Sequence, residues 1–161
     1  MFNPIKYEGT LGEQYSYLIR DLYELCNQET NTIANLSNAV ALLNFFLEDI
    51  NWVGFYILEK ETDNLVLAPF QGLPACVRIK VGNGVCGTSA SLKKTLNIEN
   101  VHNFEGHIAC DGKSNSEIVI PIFKDEKLFG VLDIDSPIFN RFSKEEETYL
   151  EAFVKQLETH I

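Results

Sequence analysis

The chain has no long apolar run, few basic residues and no closely spaced pair of cysteines. Its 161 residues include 13 Lys and Arg against 23 Asp and Glu, and the net charge is -10. Binding of a phosphate backbone needs clustered Lys and Arg side chains, so this balance argues against a nucleic-acid partner. No apolar run reaches the roughly 18 residues that a membrane span needs. The sequence therefore predicts a protein that binds neither nucleic acid nor membrane.

The beginning of the chain also lacks the features of a secretory signal. Neither a basic start nor an apolar core occurs in its first residues, MFNPIKYEGTLGEQ. We therefore expect a cytoplasmic protein, in a compartment where reducing conditions make permanent disulfides rare. Any disulfide that the four cysteines form should then be transient and part of a mechanism.

Hydrophobic periodicity predicts helices at both ends of the chain with strands between them. Apolar residues recur at helical spacing over 11–26 and 32–49, and Ser143 has capping-box spacing to Glu146 before a final amphipathic helix. Strand-like runs lie at 52–58, 65–70, 76–81, 95–98, 117–123 and 128–134. This order is typical of an α+β fold with a central antiparallel sheet and helices on one face. The length fits one domain, 1–161.

Three of the four cysteines lie in turn-prone sequence and not in the apolar helices. They are Cys76, Cys86 and Cys110. Accessible thiols serve metal, redox or nucleophilic chemistry more often than packing. Cys110 also stands in a long irregular stretch, 99–115, and loops of this length are usually functional. The fourth cysteine, Cys26, lies on the apolar stripe of the first predicted helix, where we expect an inert core residue.

The segment GNGVCG at 82–87 matches the letters of a dinucleotide-binding motif. That motif needs a long βαβ unit, but the strand before Gly82 is short and the predicted helix at 84–94 has only about two turns. The pattern is more typical of a tight turn that begins a helix near Cys86. Because a helix N-terminus favours the thiolate, we expect a lowered pKa for this thiol.

A zinc site is the alternative use of the thiols, with Cys76, Cys86, Cys110 and His107 as ligands. Structural zinc sites usually take ligands from close pairs such as CxxC. Nine and 23 residues separate the successive loop cysteines, so the spacing argues against a metal, and we expect no bound cofactor. For His107, a structural role is at least as well supported as a catalytic one.

Three acidic residues interrupt two otherwise apolar strands. Asp133 and Asp135 lie in GVLDIDS, and Glu117 lies at the start of SEIVIPIF. Alternate residues of a strand point to one face, so Asp133 and Asp135 project together. Crowding beside Glu117 should raise at least one pKa by repulsion and burial, leaving a carboxyl that can donate a proton near neutral pH. Exposure to solvent at a strand end is the alternative that the pattern leaves open.

Two aromatic residues stand on one face of the first predicted strand. Trp52 is the only tryptophan, and Tyr56 follows it at a spacing that places both side chains on the same side. Together they could form the wall of a small apolar pocket. Core packing explains both residues equally well, so the sequence leaves both interpretations open.

Six ordered segments resemble the signature of a known enzyme family. They are NWVGFY, LAPFQGLPACVRI, GNGVCG, GHIACD, SEIVIPIF and GVLDIDSP. Between Leu36 and Phe142 these segments occur in the same order as in the free methionine-(R)-sulfoxide reductases, which are small stand-alone GAF-domain enzymes. The chain therefore resembles that family. The resemblance implies one GAF-like domain, cytoplasmic reduction of free L-methionine (R)-S-oxide, thioredoxin as reductant and a possible homodimer. Ala68 and Asn100 depart from the family pattern, which usually has Gly and Asp there.

The resemblance also implies roles for the thiols. It implies that Cys110 attacks the sulfoxide sulfur, that Cys86 is its disulfide partner, and that Cys76 is an auxiliary or second resolving thiol. The resemblance leaves open which of Cys86 and Cys110 attacks and which one resolves. A GAF-type sensor that binds a small ligand without chemistry, or a thiol redox switch, is the alternative function.

Substrate contacts follow from the same resemblance. Glu117, Asp133 and Asp135 match the carboxylates that hold the sulfoxide oxygen and the substrate ammonium. Trp52 and Tyr56 match the aromatic wall for the thioether methyl. A free amino acid also needs a partner for its carboxylate, and we expect loop amides or Arg78 to serve it.

Overall fold

A six-stranded antiparallel sheet forms the centre of the part of the chain that the computed structural model describes, residues 6–108 and 111–161. Its strands are β1 (Trp52–Glu59), β2 (Asn64–Gly72), β3 (Arg78–Lys80), β4 (Leu96–Ile98), β5 (Ser116–Lys124) and β6 (Lys127–Ser136). They are ordered β3-β2-β1-β6-β5-β4, and each neighbouring pair is antiparallel. The expected α+β class with a central antiparallel sheet is confirmed.

Four α-helices accompany the sheet in these residues: α1 (Leu11–Cys26), α2 (Thr32–Phe46), α3 (Gly84–Leu92) and α4 (Lys144–Glu158). The terminal helices pack together, with α1 against α2 and α4, while α2 contacts β1 and β2 and α4 contacts β5. The short helix α3 instead contacts β3, β5 and β6. None of the helices in the described residues combines the length and apolarity needed to cross a bilayer.

The alternation of side chains along the central strands gives the sheet two different apolar faces. Val53, Ile118 and Ile134 belong to a buried core with α1, α2 and α4. The residues one step along these strands point the other way, and Trp52 and Val119 join a second cluster with α3. A shift of one residue in strand register would exchange the two faces. The second face carries the candidate site.

The helix ends mostly follow the expected signals. The Ser143 hydroxyl accepts the Glu146 N–H at 3.1 Å and caps α4. The Glu146 side chain does not complete a capping box; its carboxylate accepts from the Tyr15 hydroxyl at 2.9 Å and from Arg141 at 2.6 Å. The Glu146 side chain therefore forms tertiary hydrogen bonds and does not bond back to the helix N-terminus. Helix α2 also ends at Phe46, three residues short of the expected 49.

The two departures from the family pattern have ordinary structural roles. Ala68 is partly buried and packs against the core on the helical side of the sheet. The Asn100 side chain accepts the His102 N–H at 3.0 Å and caps a short 3₁₀ turn, Val101–Asn103. A carboxamide oxygen accepts this bond as a carboxylate would, so the change from Asp preserves the turn and removes only the charge.

Candidate active site

One pocket on the α3 side of the sheet brings together a thiol and four carboxylic acids, three of which lie on β5 and β6. Glu117 and Asp135 are paired in register across β5 and β6, and Asp133 lies two residues before Asp135 on the same face. Cys86 of α3 lines the same pocket. Its Sγ lies 4.0 Å from Oε1 of Glu117. The expected grouping of the three acids is therefore present, and Cys86 is added to it.

The glycines of GNGVCG allow α3 to approach β3 closely. The Gly82 N–H donates to the Gly87 carbonyl at 2.8 Å, and the Asn83 N–H donates to the Lys80 carbonyl at 3.0 Å. A Cβ on Gly87 would overlap the Lys80 carbonyl oxygen, so a side chain there would force the helix away from the strand. The segment is thus a turn that begins a helix, and it places Cys86 as the third residue of α3.

Burial raises the pKa of the Cys86 thiol well above its usual range, and the neighbouring charges of Asp133 and Glu117 raise it further. The expected lowering of this pKa is wrong. The helix N-terminus does favour a thiolate, but desolvation and nearby negative charge disfavour it more strongly. Cys86 therefore keeps its proton near neutral pH, and a protonated thiol is a weak nucleophile.

The carboxyl groups of Glu117, Asp133 and Asp135 differ in how far their pKa values are raised. Burial and the charges of Asp133 and Asp135 raise the pKa of Glu117 well above its usual range. Burial and Asp133 raise the pKa of Asp135 likewise. Burial raises the pKa of Asp133 to about 6, but hydrogen bonds from Cys86 and Glu117 limit the rise. Near neutral pH the site thus holds an ionised Asp133 beside a protonated Glu117, which can give up a proton.

The alternative of acids at a solvated strand end is wrong for Glu117 and Asp133, while Asp135 is partly exposed. Glu117 is 5% exposed and Asp133 is 6% exposed. Oδ1 of Asp133 is buried and has no hydrogen-bond partner among the described residues. Burying a carboxylate with an unused acceptor costs free energy. That cost indicates a site shaped for a ligand with hydrogen-bond donors.

Replacing Asp133 by Asn is expected to stabilise the fold at neutral pH. The folded pKa of about 6 exceeds the ordinary 3.8. Below the lower value both states carry the proton. As the pH rises, the unfolded chain releases its proton first, so the folded state loses about 2–3 kcal/mol. We expect the variant to melt several degrees higher near pH 8 and to gain nothing near pH 3. A lower melting temperature near pH 8 would contradict this assignment.

His107 closes one side of the pocket. Its Nε2 lies 3.8 Å from Oε2 of Glu117. Burial, followed by the charge of His102, lowers the pKa of His107. A neutral imidazole beside a protonated carboxyl forms no ion pair, and 3.8 Å is too long for a direct hydrogen bond. His107 is one of the residues that line the site.

The side-chain amide of Asn51, immediately before β1, holds the loop that follows Cys110, and no sequence pattern predicts this contact. Nδ2 of Asn51 donates to Oδ2 of Asp111 at 2.9 Å and to Oγ of Ser114 at 3.0 Å. The backbone N–H of Lys113 and then this amide lower the pKa of Asp111. Asp111 and Ser114 both line the pocket. Isolated polar residues in loops carry no periodic pattern, so neither Asn51 nor Ser114 could be singled out.

The two expected aromatic residues lie next to the acids. Trp52 on β1 is in register with Asp135 on β6. Its ring stacks on Tyr56 with centroids 5.9 Å apart and on Phe70 with centroids 5.4 Å apart. The Tyr56 hydroxyl donates to the backbone carbonyl of Cys76 at 2.9 Å. The rings of Trp52 and Tyr56 are buried beside the strand that carries Asp135 and are not among the residues that line the pocket. Cys76 packs into the same apolar cluster.

The remaining candidates have different outcomes. Cys110 lies outside the described residues. Cys26 is fully buried in the helical core, as expected. Among the described residues, metal-ligand spacing occurs for Cys86, Glu117 and Asp133, whose ligand atoms lie within 4.8 Å of one another. That set differs from the cysteine and histidine set considered for zinc.

Comparison with known proteins shows the family to which the chain belongs. The GAF domain family matches residues 21–161. The free methionine-R-sulfoxide reductase of Escherichia coli (strain K12) is 54% identical over 146 residues, which are 91% of this chain and 87% of that protein. The chain belongs to the free methionine-R-sulfoxide reductases of the GAF domain family. These reductases are oxidoreductases, and the resemblance of the six segments is confirmed.

Two solved structures of such reductases share the fold. The fRMsr of Staphylococcus aureus in complex with substrate is 53% identical, with a TM-score of 0.86 over 91% of this chain and 94% of that chain. The free methionine-R-sulfoxide reductase from Neisseria meningitidis in complex with its substrate is 37% identical, with a TM-score of 0.93 over 99% of this chain and 95% of that chain. The expected GAF-like architecture is therefore confirmed.

Proposed function

We propose that this chain reduces free L-methionine (R)-S-oxide to L-methionine with electrons from its own cysteines. The observation that carries the proposal is the buried pairing of a thiol with a protonated acid. Cys86 Sγ lies 4.0 Å from the Glu117 carboxyl, with Asp133 and Asp135 beside them. The name of the E. coli relative and the substrate complexes of the two solved reductases support the same reaction.

Glu117 is the proposed proton donor. A sulfoxide oxygen is a poor leaving group until it is protonated, so a positioned acid should accelerate the reaction strongly. The raised pKa of Glu117, caused first by burial and then by the charges of Asp133 and Asp135, keeps the proton available at neutral pH. Asp135, whose pKa burial also raises, is the alternative donor.

Cys110 is the proposed attacking thiol. Its sulfur bonds to the sulfoxide sulfur, and the oxygen, protonated by the acid, passes to Cys110 as methionine leaves. The methionine sulfur gains two electrons, and the Cys110 sulfur loses two and becomes a sulfenic acid. Cys86 is the weaker candidate for this step, because burial and adjacent carboxylates raise the pKa of its thiol and keep it protonated.

A second thiol then condenses with the sulfenic acid, with loss of water. Cys86 is the proposed disulfide partner because it lines the pocket. Cys76 is the second resolving thiol, because it is only partly buried and packs in the same cluster. An external dithiol, proposed to be thioredoxin, reduces the disulfide by exchange and restores both thiols.

Substrate recognition uses the acids and the aromatic wall. Asp133 and Asp135 are proposed to hold the ammonium, Glu117 the sulfoxide oxygen, and Trp52 with Tyr56 the thioether methyl. Trp52 is paired in register with Asp135 and stacks on Tyr56, which supports a ligand with an apolar tail beside a cation.

Arg78 is a poor partner for the substrate carboxylate. Its guanidinium makes a two-pronged contact with the Glu59 carboxylate, at 2.5 and 3.1 Å. This fork is therefore occupied by Glu59, and Arg78 is not among the residues that line the pocket. Loop amides remain the proposed partners of the substrate carboxylate.

The whole chain, 1–161, is proposed to form one GAF-like domain. Helix α1 begins before the matched region 21–161 but packs against α4 within it. A shared core of this kind is typical of a single domain. A homodimer in the cytoplasm remains part of the proposal, on the strength of the family resemblance alone.

The proposed activity can be measured with the purified protein, a racemic mixture of L-methionine S-oxides and a dithiol reductant. Chiral analysis should show loss of the R epimer and formation of methionine, while the S epimer persists. Persistence of both epimers would contradict the proposal. Saturable binding of the R epimer without turnover would instead support a GAF-type sensor.

A further inference from the structure

Three side chains from separate elements converge in the pocket with the spacing of metal ligands. Cys86 lies on α3, Glu117 on β5 and Asp133 on β6. One ligand atom of each, the thiol sulfur and two carboxyl oxygens, lies within 4.8 Å of the other two. The Sγ of Cys86 and Oε1 of Glu117 are 4.0 Å apart. Zinc bonds of about 2.3 Å to sulfur and about 2.1 Å to oxygen allow one ion to contact both atoms.

An unused acceptor in the same place indicates a ligand. Asp133 is 6% exposed and lines the pocket. Its Oδ1 is buried and has no hydrogen-bond partner in the described part of the chain. A buried oxygen without a partner costs free energy, and a cation bound to it removes that cost. This oxygen indicates a ligand independently of the spacing of the three groups.

The donor set selects the kind of cation. Mg²⁺ and Ca²⁺ take oxygen ligands, whereas one thiolate with two carboxylates suits a borderline-soft ion such as Zn²⁺. Three protein ligands also leave a fourth tetrahedral position open, as in zinc sites that bind water or a small molecule. Zn²⁺ is therefore the divalent cation that these residues fit best.

We propose that Cys86, Glu117 and Asp133 form a Zn²⁺ site that excludes methionine sulfoxide from the pocket and so inhibits the protein reversibly. Only the inhibition rests on the proposed function, because the ligand atoms are in place whatever the reaction. One ion would hold both the proposed proton donor, Glu117, and the proposed disulfide partner, Cys86. The substrate ammonium and Zn²⁺ would also compete for the same Asp133 carboxylate.

Zn²⁺ exchanges with protons at this site. Cys86 and Glu117 each carry a proton near neutral pH, and metal ligands bind in their deprotonated form. A dication opposes the burial and negative charge that keep these protons in place, and a coordinated thiol loses its proton outright. One bound Zn²⁺ therefore replaces two protons, which pass to the solvent, and no electrons are transferred.

Binding is tested on the fully reduced chain with Co²⁺, a spectroscopic substitute for Zn²⁺. A thiolate bound to Co²⁺ gives a charge-transfer band in the near ultraviolet, so the band reports the cysteine ligand directly. Competition between the two ions then gives the Zn²⁺ affinity. Cys86→Ser should remove the band. Asp133→Asn should weaken Zn²⁺ binding by at least about tenfold, since loss of even an outer-shell partner of a metal costs about 10–100-fold.

Two variants are matched controls. Cys26→Ala removes a thiol that is buried in the helical core. Asp111→Asn removes a carboxyl group that lines the pocket but lies outside the ligand set. Both should keep the band and the Zn²⁺ affinity of the wild type. If Cys86→Ser does not fold, as judged by thermal melting, the affinity of Asp133→Asn decides the outcome.

Inhibition is measured as methionine release in a single turnover without reductant, because dithiol reductants themselves bind Zn²⁺. At low substrate, Zn²⁺ at ten times its Kd should slow the release by roughly tenfold, by mass action. A higher concentration of the sulfoxide should restore the rate, and so should a chelator such as EDTA. Inhibition that no concentration of sulfoxide relieves would contradict competition for the pocket.

Three binding results would contradict the proposed ligands. They are absence of the cobalt band in the wild type, a band that is kept in Cys86→Ser but lost in Cys110→Ser, and an unchanged Zn²⁺ affinity in Asp133→Asn. Failure of the proposed function would be seen separately. In that case the wild type would bind Co²⁺ through Cys86 but would not consume methionine sulfoxide when no metal is added.

Discussion

Replacing Glu117 by Gln is expected to lower kcat for methionine sulfoxide reduction by about two to four orders of magnitude. The amide has nearly the same shape and still forms hydrogen bonds, but it has no acidic proton to transfer. Burial and the charges of Asp133 and Asp135 hold the pKa of Glu117 high. The wild-type carboxyl therefore carries a transferable proton at neutral pH, and the amide of the variant does not. Steady-state rates at saturating substrate measure the effect.

Glu147→Gln is the control for this change. Glu147 is also a buried glutamate, but it lies on α4 and accepts from Asn97, away from the pocket. Its substitution should affect stability at most and leave kcat within about twofold. If Glu117→Gln kept more than a tenth of the wild-type kcat while melting normally, Glu117 would not be the proton donor. Asp135→Asn would then be the next variant to assay.

Replacing Cys110 by Ser is expected to abolish the first turnover, with a loss of at least about a thousandfold in rate. A serine hydroxyl is far less nucleophilic than a thiolate, and it cannot form the sulfenic acid. Cys86→Ser and Cys76→Ser should still release one methionine per protein but recycle slowly. Rapid-quench assays without reductant, with methionine quantified, separate the first turnover from recycling.

Cys26→Ala is the control for loss of a thiol. Cys26 is fully buried in α1, on the helical side of the sheet, and should contribute only packing. Its first turnover should match that of the wild type. If Cys86→Ser lost the first turnover while Cys110→Ser kept it, the attacking and resolving roles would be exchanged.

The acidic site could be predicted because its residues lie on strands, where side chains alternate between the two faces of the sheet. The spacing of Asp133 and Asp135 placed both on one face, and the turn between β5 and β6 made Glu117 their neighbour. Periodicity and a hairpin are local features, so sequence alone contains them. The aromatic pair on β1 followed from the same period, although its register with Asp135 depends on β1 joining β6.

Features set by distant residues could not be predicted. The local helix rule suggested a lowered pKa for Cys86, but acids 31 and 47 positions later in the chain surround it and have the opposite effect. Asn51 meets Asp111 and Ser114 across 60 and 63 positions, respectively. Glu146 likewise leaves its local capping position for Tyr15 near the other end of the chain. In each case a tertiary contact overrides a local preference.

The stoichiometry of a single turnover without reductant tests the central claim most directly: the protein's own sulfur atoms reduce the substrate beside a buried acid. Fully reduced protein should release one methionine and lose two thiols, and peptide mapping should find one new disulfide that includes Cys110. Methionine formed with all four thiols intact, or thiols lost with no methionine formed, would contradict the account.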